Sequence, residues 1–391
     1  MGSCQSAGHI LGDGLMRTLL LSLLSREWLG LLAAMLCGIV GLALHPALPL
    51  LGDFLIGLAL LLAAGALTHL FIFMQARRRY PPPGRLINVA GTQIHLLAEG
   101  DVSGHHPIVW FGGGHAAGLV MDHLHRVLRM ETRSILIDRP GTGWSGTGRF
   151  PRTTVREAEE MVEALKASGE QGPFIFAGYS FGGLLAANIA RRHPELVARL
   201  VLIDPTPLET IVFGPRLGAI KTMRRIAFVT GVFRLFGIHF DVARWATERN
   251  PSYKEATKAF GTELGSALDT LRAIDVSAGH RFAEYDIYRE LVGSHIGRCG
   301  WETVVYDGDL GDMSVWLVAP GDAGEVTANP EVAAAGREQA RMINFFAKSR
   351  ERYMAASSNA LRVVAPPGTT HQFVYESPDF VIKTLREAIR K

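Results

Sequence analysis

The sequence has few cysteines and a small net charge, and both features limit the classes of function that it can have. Its 391 residues hold only three cysteines, Cys4, Cys37 and Cys299. They are scattered and odd in number, so they indicate neither a disulfide framework nor a zinc site, and they favour a reducing compartment. Forty Lys and Arg against 37 Asp and Glu leave a net charge of +3, which argues against nucleic acid as a partner. Hydrophobic residues make up 48% of the chain, which excludes intrinsic disorder and allows a large core.

Long apolar runs are abundant near the N-terminus. Trp28–Leu44 and Phe54–Met74 contain no charged residue, and a helix of roughly 20 apolar residues crosses the hydrocarbon core of a membrane. The segment His45–Pro49 supplies helix breakers between the two runs. We therefore predict an N-terminal tail at residues 1–26 and a two-helix transmembrane hairpin at residues 27–76. A signal peptide and a pair of buried core helices are the competing interpretations.

The basic residues around the runs predict an orientation. Arg17 and Arg26 precede the first run and Arg77–Arg79 follow the second, whereas the loop between them has no Lys or Arg. This asymmetry predicts an integral membrane protein with both outer ends on the cytoplasmic side. Gly2 and Cys4 also fit the loose pattern for N-myristoylation and palmitoylation.

After a basic, proline-rich linker at residues 77–84, strand-like and helix-like segments alternate, which predicts an α/β fold with a mostly parallel sheet. One helix is expected at Thr154–Ala167, with Thr154 and Glu157 as a capping box. A largely helical insertion at residues 206–312 separates two parts of the core, 85–205 and 313–391. The expected strands are Leu86–Ala90, Gln93–Leu97, Ile108–Phe111, Ser134–Ile137, Phe174–Ala177, Leu200–Ile203, Val315–Val318 and Leu361–Val364.

A nucleophilic serine is expected directly after the fifth strand. The residues Gly178-Tyr179-Ser180-Phe181-Gly182 have the G-x-S-x-G pattern, with a strand before it and helix-compatible sequence after it. A serine hydroxyl needs a base that accepts its proton and an acid that orients the base. His371, which follows the last strand, is the expected base. Either of two aspartates at strand ends, Asp322 or Asp204, could be the acid, and the chain order favours Asp322.

The developing oxyanion needs two backbone N–H groups. The expected donors are Phe181, directly after the nucleophile, and Gly114 in the glycine run Gly112–Gly114. That run lacks the G-K-[ST] ending of a phosphate-binding loop. No metal or organic cofactor is implied, because the nearby histidines lack carboxylates or cysteines at ligand spacing, and we expect them on loop and helix surfaces: His105, His106, His115, His123 and His125.

These motifs resemble those of the α/β-hydrolase superfamily over residues 86–390. The segment Asp138–Gly146 resembles its D-x-P-G-x-G-x-S turn, and Tyr80–Gly84 resembles the linker of a group of membrane-anchored hydrolases. The resemblance implies a central sheet flanked by helices, with the 206–312 insertion as a helical cap over the site. Gly112 departs from the family, which usually has histidine there.

The interpretation is a serine hydrolase that cleaves carboxylic esters or thioesters through an acyl-enzyme. Anchoring makes an acyl lipid or another membrane-associated molecule the expected substrate and the bilayer the expected partner; a small soluble ester is the other candidate. The mixed basic and apolar segment Leu217–Trp245 fits either a bilayer surface or packing on the core. The same triad would also serve an amidase, peptidase, carbon–carbon hydrolase or acyltransferase, and a non-catalytic hydrolase-like binding protein is the alternative outside enzymes.

Overall fold

A twisted sheet of eight strands lies at the centre of the C-terminal part of the chain. The computed structural model describes residues 7–101, 104–207, 217–240, 261–292, 305–321 and 348–391. Its sheet has the order β1-β2-β4-β3-β5-β6-β7-β8, in which β2 runs antiparallel to its neighbours and β3 to β8 are parallel. The strands are β1 Arg85–Val89, β2 Thr92–Glu99, β3 Ile108–Phe111, β4 Ser134–Ile137, β5 Phe174–Tyr179, β6 Val197–Ile203, β7 Val315–Ala319 and β8 Ala360–Val364.

Apolar layers cover both faces of this sheet. Strands β3, β4, β5 and β7 are buried at every position, as expected for strands that have helices on both sides. One face packs Phe111 and Phe176 against flanking helices, and the other packs Trp110 and Trp316. The expected α/β fold class is thus confirmed. The flanking helices are α4 Asp122–Leu128, α5 Thr154–Ser168, α6 Phe181–Arg192, α10 Phe373–Glu376 and α11 Pro378–Arg390.

The start of α5 differs from the expectation. The N-cap is Thr153, whose hydroxyl accepts the Arg156 N–H at 3.1 Å, so the prediction of a cap at Thr154 was wrong by one residue. Glu157 does not close a capping box, because its carboxylate is buried and pairs with Arg139 at 2.9 Å. Breaking a buried ion pair of this kind costs free energy, so the Glu157 carboxylate remains in the core and does not take part in the cap.

Three helices precede the sheet: α1 Ala7–Leu24, α2 Leu29–Leu44 and α3 Pro49–Arg79. The predicted tail therefore contains a helix, while Gly2 and Cys4 lie outside the described residues. Helices α2 and α3 form a hairpin in which small residues let the backbones approach: a Cβ at Gly41 would lie 3.0 Å from the Gly52 carbonyl oxygen. Among the described residues, α3 is long and apolar enough to cross a membrane, and α1 with α2 forms a pair bent by 96° that passes the same test.

The described parts of the insertion are helical. They comprise α7 Leu217–Leu235, α8 Ser266–Ile274 and α9 Ala278–Val292, which we call the cap helices. Phe228 of α7 and Phe282 of α9 meet edge to face at 5.7 Å between ring centroids. Leu21 of α1 is buried in the same cluster.

The cap helices also contact the N-terminal hairpin. Glu27, in the break between α1 and α2, accepts the backbone N–H groups of Ala278 and Gly279 at 3.0 and 3.3 Å. Gly65 of α3 lies against the end of α7, where a Cβ on Gly65 would be 2.2 Å from the Phe236 carbonyl oxygen. The hairpin and the cap helices are therefore packed into one unit.

Candidate active site

Ser180 lies in a tight turn between β5 and α6. Its φ of 53° is in the left-handed region, where non-glycine residues are rare and strained. The turn needs small neighbours: a Cβ on Gly182 would lie 2.1 Å from the Phe111 carbonyl oxygen, and one on Gly178 would lie 2.6 Å from that of Gly182. This geometry places the hydroxyl of Ser180 above the carboxyl ends of the parallel strands, at the start of α6.

The structure brings Ser180, His371 and Asp204 into one hydrogen-bonded chain. His371 Nε2 lies 3.1 Å from Ser180 Oγ, and His371 Nδ1 lies 2.5 Å from Asp204 Oδ2. Since a carboxylate only accepts, Nδ1 carries the hydrogen and Nε2 presents a lone pair to the serine hydroxyl. The His371 side chain remains 41% exposed, so a substrate can reach it, whereas the Asp204 side chain is fully buried.

Asp204, the second of the two expected acids, is the aspartate that the described structure places against His371. It follows the end of β6, has a φ of 42°, and its second oxygen lies 2.5 Å from Arg350 Nε. Arg350 thus places a positive charge beside this buried carboxylate. Asp322 lies outside the described residues. His371 Nδ1 has one hydrogen to donate, and Asp204 accepts it.

Two further side chains contact this chain of residues. Tyr179 stacks on the His371 ring at 5.1 Å between centroids, and its hydroxyl donates to the His371 carbonyl at 3.0 Å. Burial raises the pKa of Tyr179 well above its ordinary value, so the phenol stays neutral and can donate. Thr206 Oγ1 lies 3.2 Å from Ser180 Oγ. Neither residue was proposed for the site from the sequence, although each is within two positions of a residue that was.

The glycine loop after β3 lies beside the nucleophile. A Cβ on Gly113 would be 3.0 Å from the Ser180 Cβ, so a side chain is excluded there. Gly114 has a φ of 55° and is exposed, so its backbone is accessible next to Ser180. The Arg139 guanidinium donates to the Gly114 carbonyl and lies 4.8 Å from the centre of the Phe181 ring. One buried arginine therefore contacts both residues that are expected to provide oxyanion donors.

The turn after β4 is held by one buried carboxylate. Asp138 accepts the backbone N–H groups of Gly118 and Trp144 at 2.7 and 2.9 Å, and it pairs with His95 Nδ1 at 2.9 Å. Three charge-assisted hydrogen bonds to one side chain make this a rigid support. The D-x-P-G-x-G-x-S segment thus has a structural role, because it fixes the position of Arg139 beside the glycine loop.

Two of the clustered histidines are buried, which corrects the expectation of surface positions. His123 Nε2 bonds the Val374 carbonyl at 2.8 Å, and His125 bridges Ser134 Oγ and Glu99, both at 2.9 Å. Within the described ranges, no group of three or more His, Cys, Asp or Glu residues has the arrangement of a metal site. The two histidines tie α4 to the neighbouring strands and to α10.

Comparison with known proteins agrees with this architecture. A family model described as "alpha/beta hydrolase fold" matches residues 110–229, which include the glycine loop, the serine turn and Asp204. A thermophilic esterase from Thermogutta terrifontis superposes with a TM-score of 0.53 at 18% identity, covering 78% of this chain and 97% of the esterase. The chain therefore has the α/β-hydrolase fold.

Sequence relatives cover more of the chain than the family model does, but they do not identify its substrate. The uncharacterized protein YbdG of Bacillus subtilis is 23% identical over 313 residues, which cover 79% of this chain and 86% of YbdG. The 2-hydroxymuconate semialdehyde hydrolase of Pseudomonas putida is 33% identical over 135 residues, but the match spans only 46% of that enzyme. The feature that this chain shares with its relatives is therefore the fold, and its substrate must be argued from its own residues.

Proposed function

We propose that this α/β-hydrolase is a membrane-anchored serine hydrolase that cleaves carboxylic esters or thioesters of acyl lipids or other membrane-associated substrates. The observation that carries the proposal is the unbroken hydrogen-bonded chain from Ser180 Oγ through His371 to Asp204 Oδ2. This arrangement supports the assignment of Ser180 as nucleophile, His371 as base and Asp204 as the orienting acid that acyl transfer needs.

In the proposed reaction, Ser180 attacks the carbonyl carbon of the ester while His371 Nε2 accepts the hydroxyl proton. Asp204, which is paired with Arg350, stabilises the imidazolium that forms. His371 then donates the proton to the leaving alcohol or thiol, which produces an acyl-enzyme on Ser180. Water, deprotonated by the same imidazole, releases the acid and restores the serine.

The oxyanion is assigned to the backbone N–H groups of Phe181 and Gly114. Phe181 is the first residue of α6, so its N–H is one of the unpaired donors at the helix N-terminus. Arg139 donates a hydrogen bond to the Gly114 carbonyl, which restrains the backbone at Gly114. Preorganised donors of this kind stabilise the tetrahedral intermediate without rearranging during the reaction.

Helix α3 is the proposed membrane anchor. It has 31 residues, only 17% of its most apolar window is buried, and its large outward side chains are apolar. A core helix of a soluble protein would bury such a surface. Arg77–Arg79 end the helix on the side of the catalytic core, where Arg77 donates to the Trp144 carbonyl at 3.1 Å. The positive-inside tendency then assigns the core to the cytoplasm.

The cap helices give a reason to prefer a substrate that comes from the membrane. Gly65, which contacts Phe236, lies 14 residues before Arg79, a distance of about 21 Å along the helix axis. The end of α7 therefore reaches far down the proposed spanning helix. The side chains that it exposes there are apolar: Val229, Phe233, Ile238 and Phe240. We assign this edge of the cap to the bilayer, where it gives lipid access to the site.

A fluorophosphonate probe tests the enzyme assignment. Membranes containing the full chain should be labelled, and Ser180→Ala and His371→Ala should abolish the labelling. Ser266→Ala is the matched control, because Ser266 is an exposed serine of the cap outside the triad. A folded wild-type chain that neither reacts with the probe nor hydrolyses any ester in a chain-length series would refute the proposal. Labelling that survives in Ser180→Ala would refute the choice of nucleophile.

A further inference from the structure

A cavity of about 330 Å³ lies next to the glycine loop, outside the triad. Its lining includes His115, which directly follows Gly114. Since consecutive Cα atoms are 3.8 Å apart, the His115 Cα is within about 8 Å of the Cα of Gly113, the residue that touches Ser180. The volume is within the range of small-ligand sites. The cavity is therefore large enough for part of a substrate and close enough to be reached from the nucleophile.

Both apolar and cationic side chains line this cavity. We call Val120, Leu268 and Leu271 the apolar wall. The lining also contains three arginines, Arg234, Arg272 and Arg281, and Asp275 is its one acidic side chain among the described residues.

One of the three arginines, Arg272, has no partner among the described residues. Arg234 and Arg281 both pair with Asp275, and Arg281 also pairs with Glu284 at 2.6 Å. Arg272 is exposed and has no ionic or hydrogen-bonding partner among the described residues. The charge of Arg272 is therefore available to a ligand, and a cation in the lining of a cavity favours an anion.

Two histidines in the lining have a pKa that is lowered by burial and by nearby arginines. Burial, assisted by Arg139 and Arg281, lowers the pKa of His115 well below its usual value. Burial and the charge of Arg77 lower the pKa of His280 to about 4. Both rings are neutral at pH 7, and the arginines therefore supply the charge of the cavity.

We propose that this cavity binds an anionic group, a carboxylate or a phosphate, that the ester substrate carries at a distance from the scissile bond. The apolar wall contacts the chain between that group and the ester, and Arg272 is the cation with a free guanidinium. The inference rests on the proposed function and specifies its substrate class as anionic amphiphiles.

Matched ester pairs test the proposal on the full chain in neutral detergent. The soluble pair is 4-nitrophenyl hexanoate and the mono-4-nitrophenyl ester of adipic acid, which adds a terminal carboxylate to the same carbon chain. The lipid pair is 1-oleoylglycerol and its 3-phosphate. A higher kcat/KM for the anionic member of the soluble pair assigns the cavity to a carboxylate on the acyl side. The same preference in the lipid pair assigns it to a head group.

Arg272→Gln should lower kcat/KM for the preferred anionic ester about tenfold, mainly through KM, and leave its neutral partner unchanged. Arg225→Gln, which removes an exposed arginine of α7 outside the cavity, should change neither. Equal or better hydrolysis of the neutral members by the wild type, or an equal effect of Arg272→Gln on both members, would overturn this inference alone. Failure of the wild type to hydrolyse any of the four esters would instead count against the proposed function.

Discussion

Glu27 accepts a hydrogen bond from His69 at 2.7 Å, and this pair joins the break before α2 to the middle of α3. The same carboxylate also accepts the first backbone N–H groups of α9. Helix α9 thus has its N-terminal donors satisfied by a residue of the N-terminal hairpin. A negative charge in this position is also favoured by the helix dipole.

Replacing Glu27 should loosen the cap helices from the hairpin. Glu27→Ala leaves His69, Ser277 and the start of α9 without their acceptor, at a cost of about 2–3 kcal/mol. Glu27→Gln keeps one acceptor oxygen and should lose less. Thermal unfolding in detergent measures the difference. Glu163→Ala, at an exposed position of α5, is the control and should shift the midpoint little. Equal midpoints for Glu27→Ala and the wild type would contradict this account.

The close approach of α3 to α7 should not tolerate a side chain. Gly65→Val places a Cβ against the Phe236 carbonyl and should displace the end of α7, with an overpacking cost of about 1–3 kcal/mol. Gly57→Val is the matched control in the same helix, because nothing lies within 4 Å of a Cβ there. We expect Gly65→Val to reduce hydrolysis of an ester in vesicles more than that of a soluble ester. If both variants behave alike, the contact has no role in access.

The acid of the triad can be assigned by kinetics. Asp204→Asn preserves the shape of the side chain but favours the wrong tautomer of His371, and it should lower kcat by about 10⁴-fold. Asp322→Asn should leave kcat close to the wild-type value. The rate of ester hydrolysis at constant pH, with unfolding midpoints as a check on folding, separates the two. A large loss in Asp322→Asn with little loss in Asp204→Asn would reverse the assignment.

Glu290 should make the protein less stable as the pH rises. Burial, together with the carboxylates of Glu157 and Asp286, raises the pKa of Glu290 to about 8. The unfolded chain loses this proton near pH 4.5 and the folded chain keeps it to about pH 8, so the folded state binds more protons between these values. Stability therefore falls over that window, by roughly 2–4 kcal/mol.

Glu290→Gln removes the titrating group but retains an oxygen for the Thr154 N–H, which Glu290 accepts at 2.7 Å. The variant should match the wild type at pH 5 and unfold at a higher temperature at pH 8. Thermal unfolding at the two pH values provides the comparison. A variant that gains nothing at pH 8 would show that Glu290 is already ionised there in the folded protein.

Much of the core could be predicted because its signals are local. Short strand-like runs, several of them continuously apolar, located all eight strands to within three residues at each end, and two of them, Ile108–Phe111 and Ser134–Ile137, to the residue. The serine turn is also recognisable, because a strand, small residues around Ser180 and a helix follow one another directly. In these cases neighbouring residues alone decide the structure.

The contact between His371 and Asp204, and the residues around it, could not be predicted with certainty because they depend on long-range geometry. Strands β6 and β7 are adjacent and parallel, so the residues after both end at the same edge of the sheet, within reach of the loop that carries His371. Sequence order alone favoured the later strand. Arg350, which supports Asp204, lies in a segment with no motif. The N-cap of α5 is a smaller case. Thr153 and Thr154 are adjacent and each carries a hydroxyl, so the sequence does not decide which of them caps the helix.

The packing of α3 has a consequence for the response of the protein to its membrane. One end of the helix is joined to the catalytic core through Arg77, and its middle is joined to the cap helices through Gly65 and His69. In a bilayer whose thickness does not match the apolar length of α3, the helix changes its tilt. A change in tilt moves the two attachment points by different amounts. Under the proposed anchoring of α3, bilayer thickness should therefore alter the separation of cap and core, and the rate of hydrolysis should vary with the acyl-chain length of the host lipid.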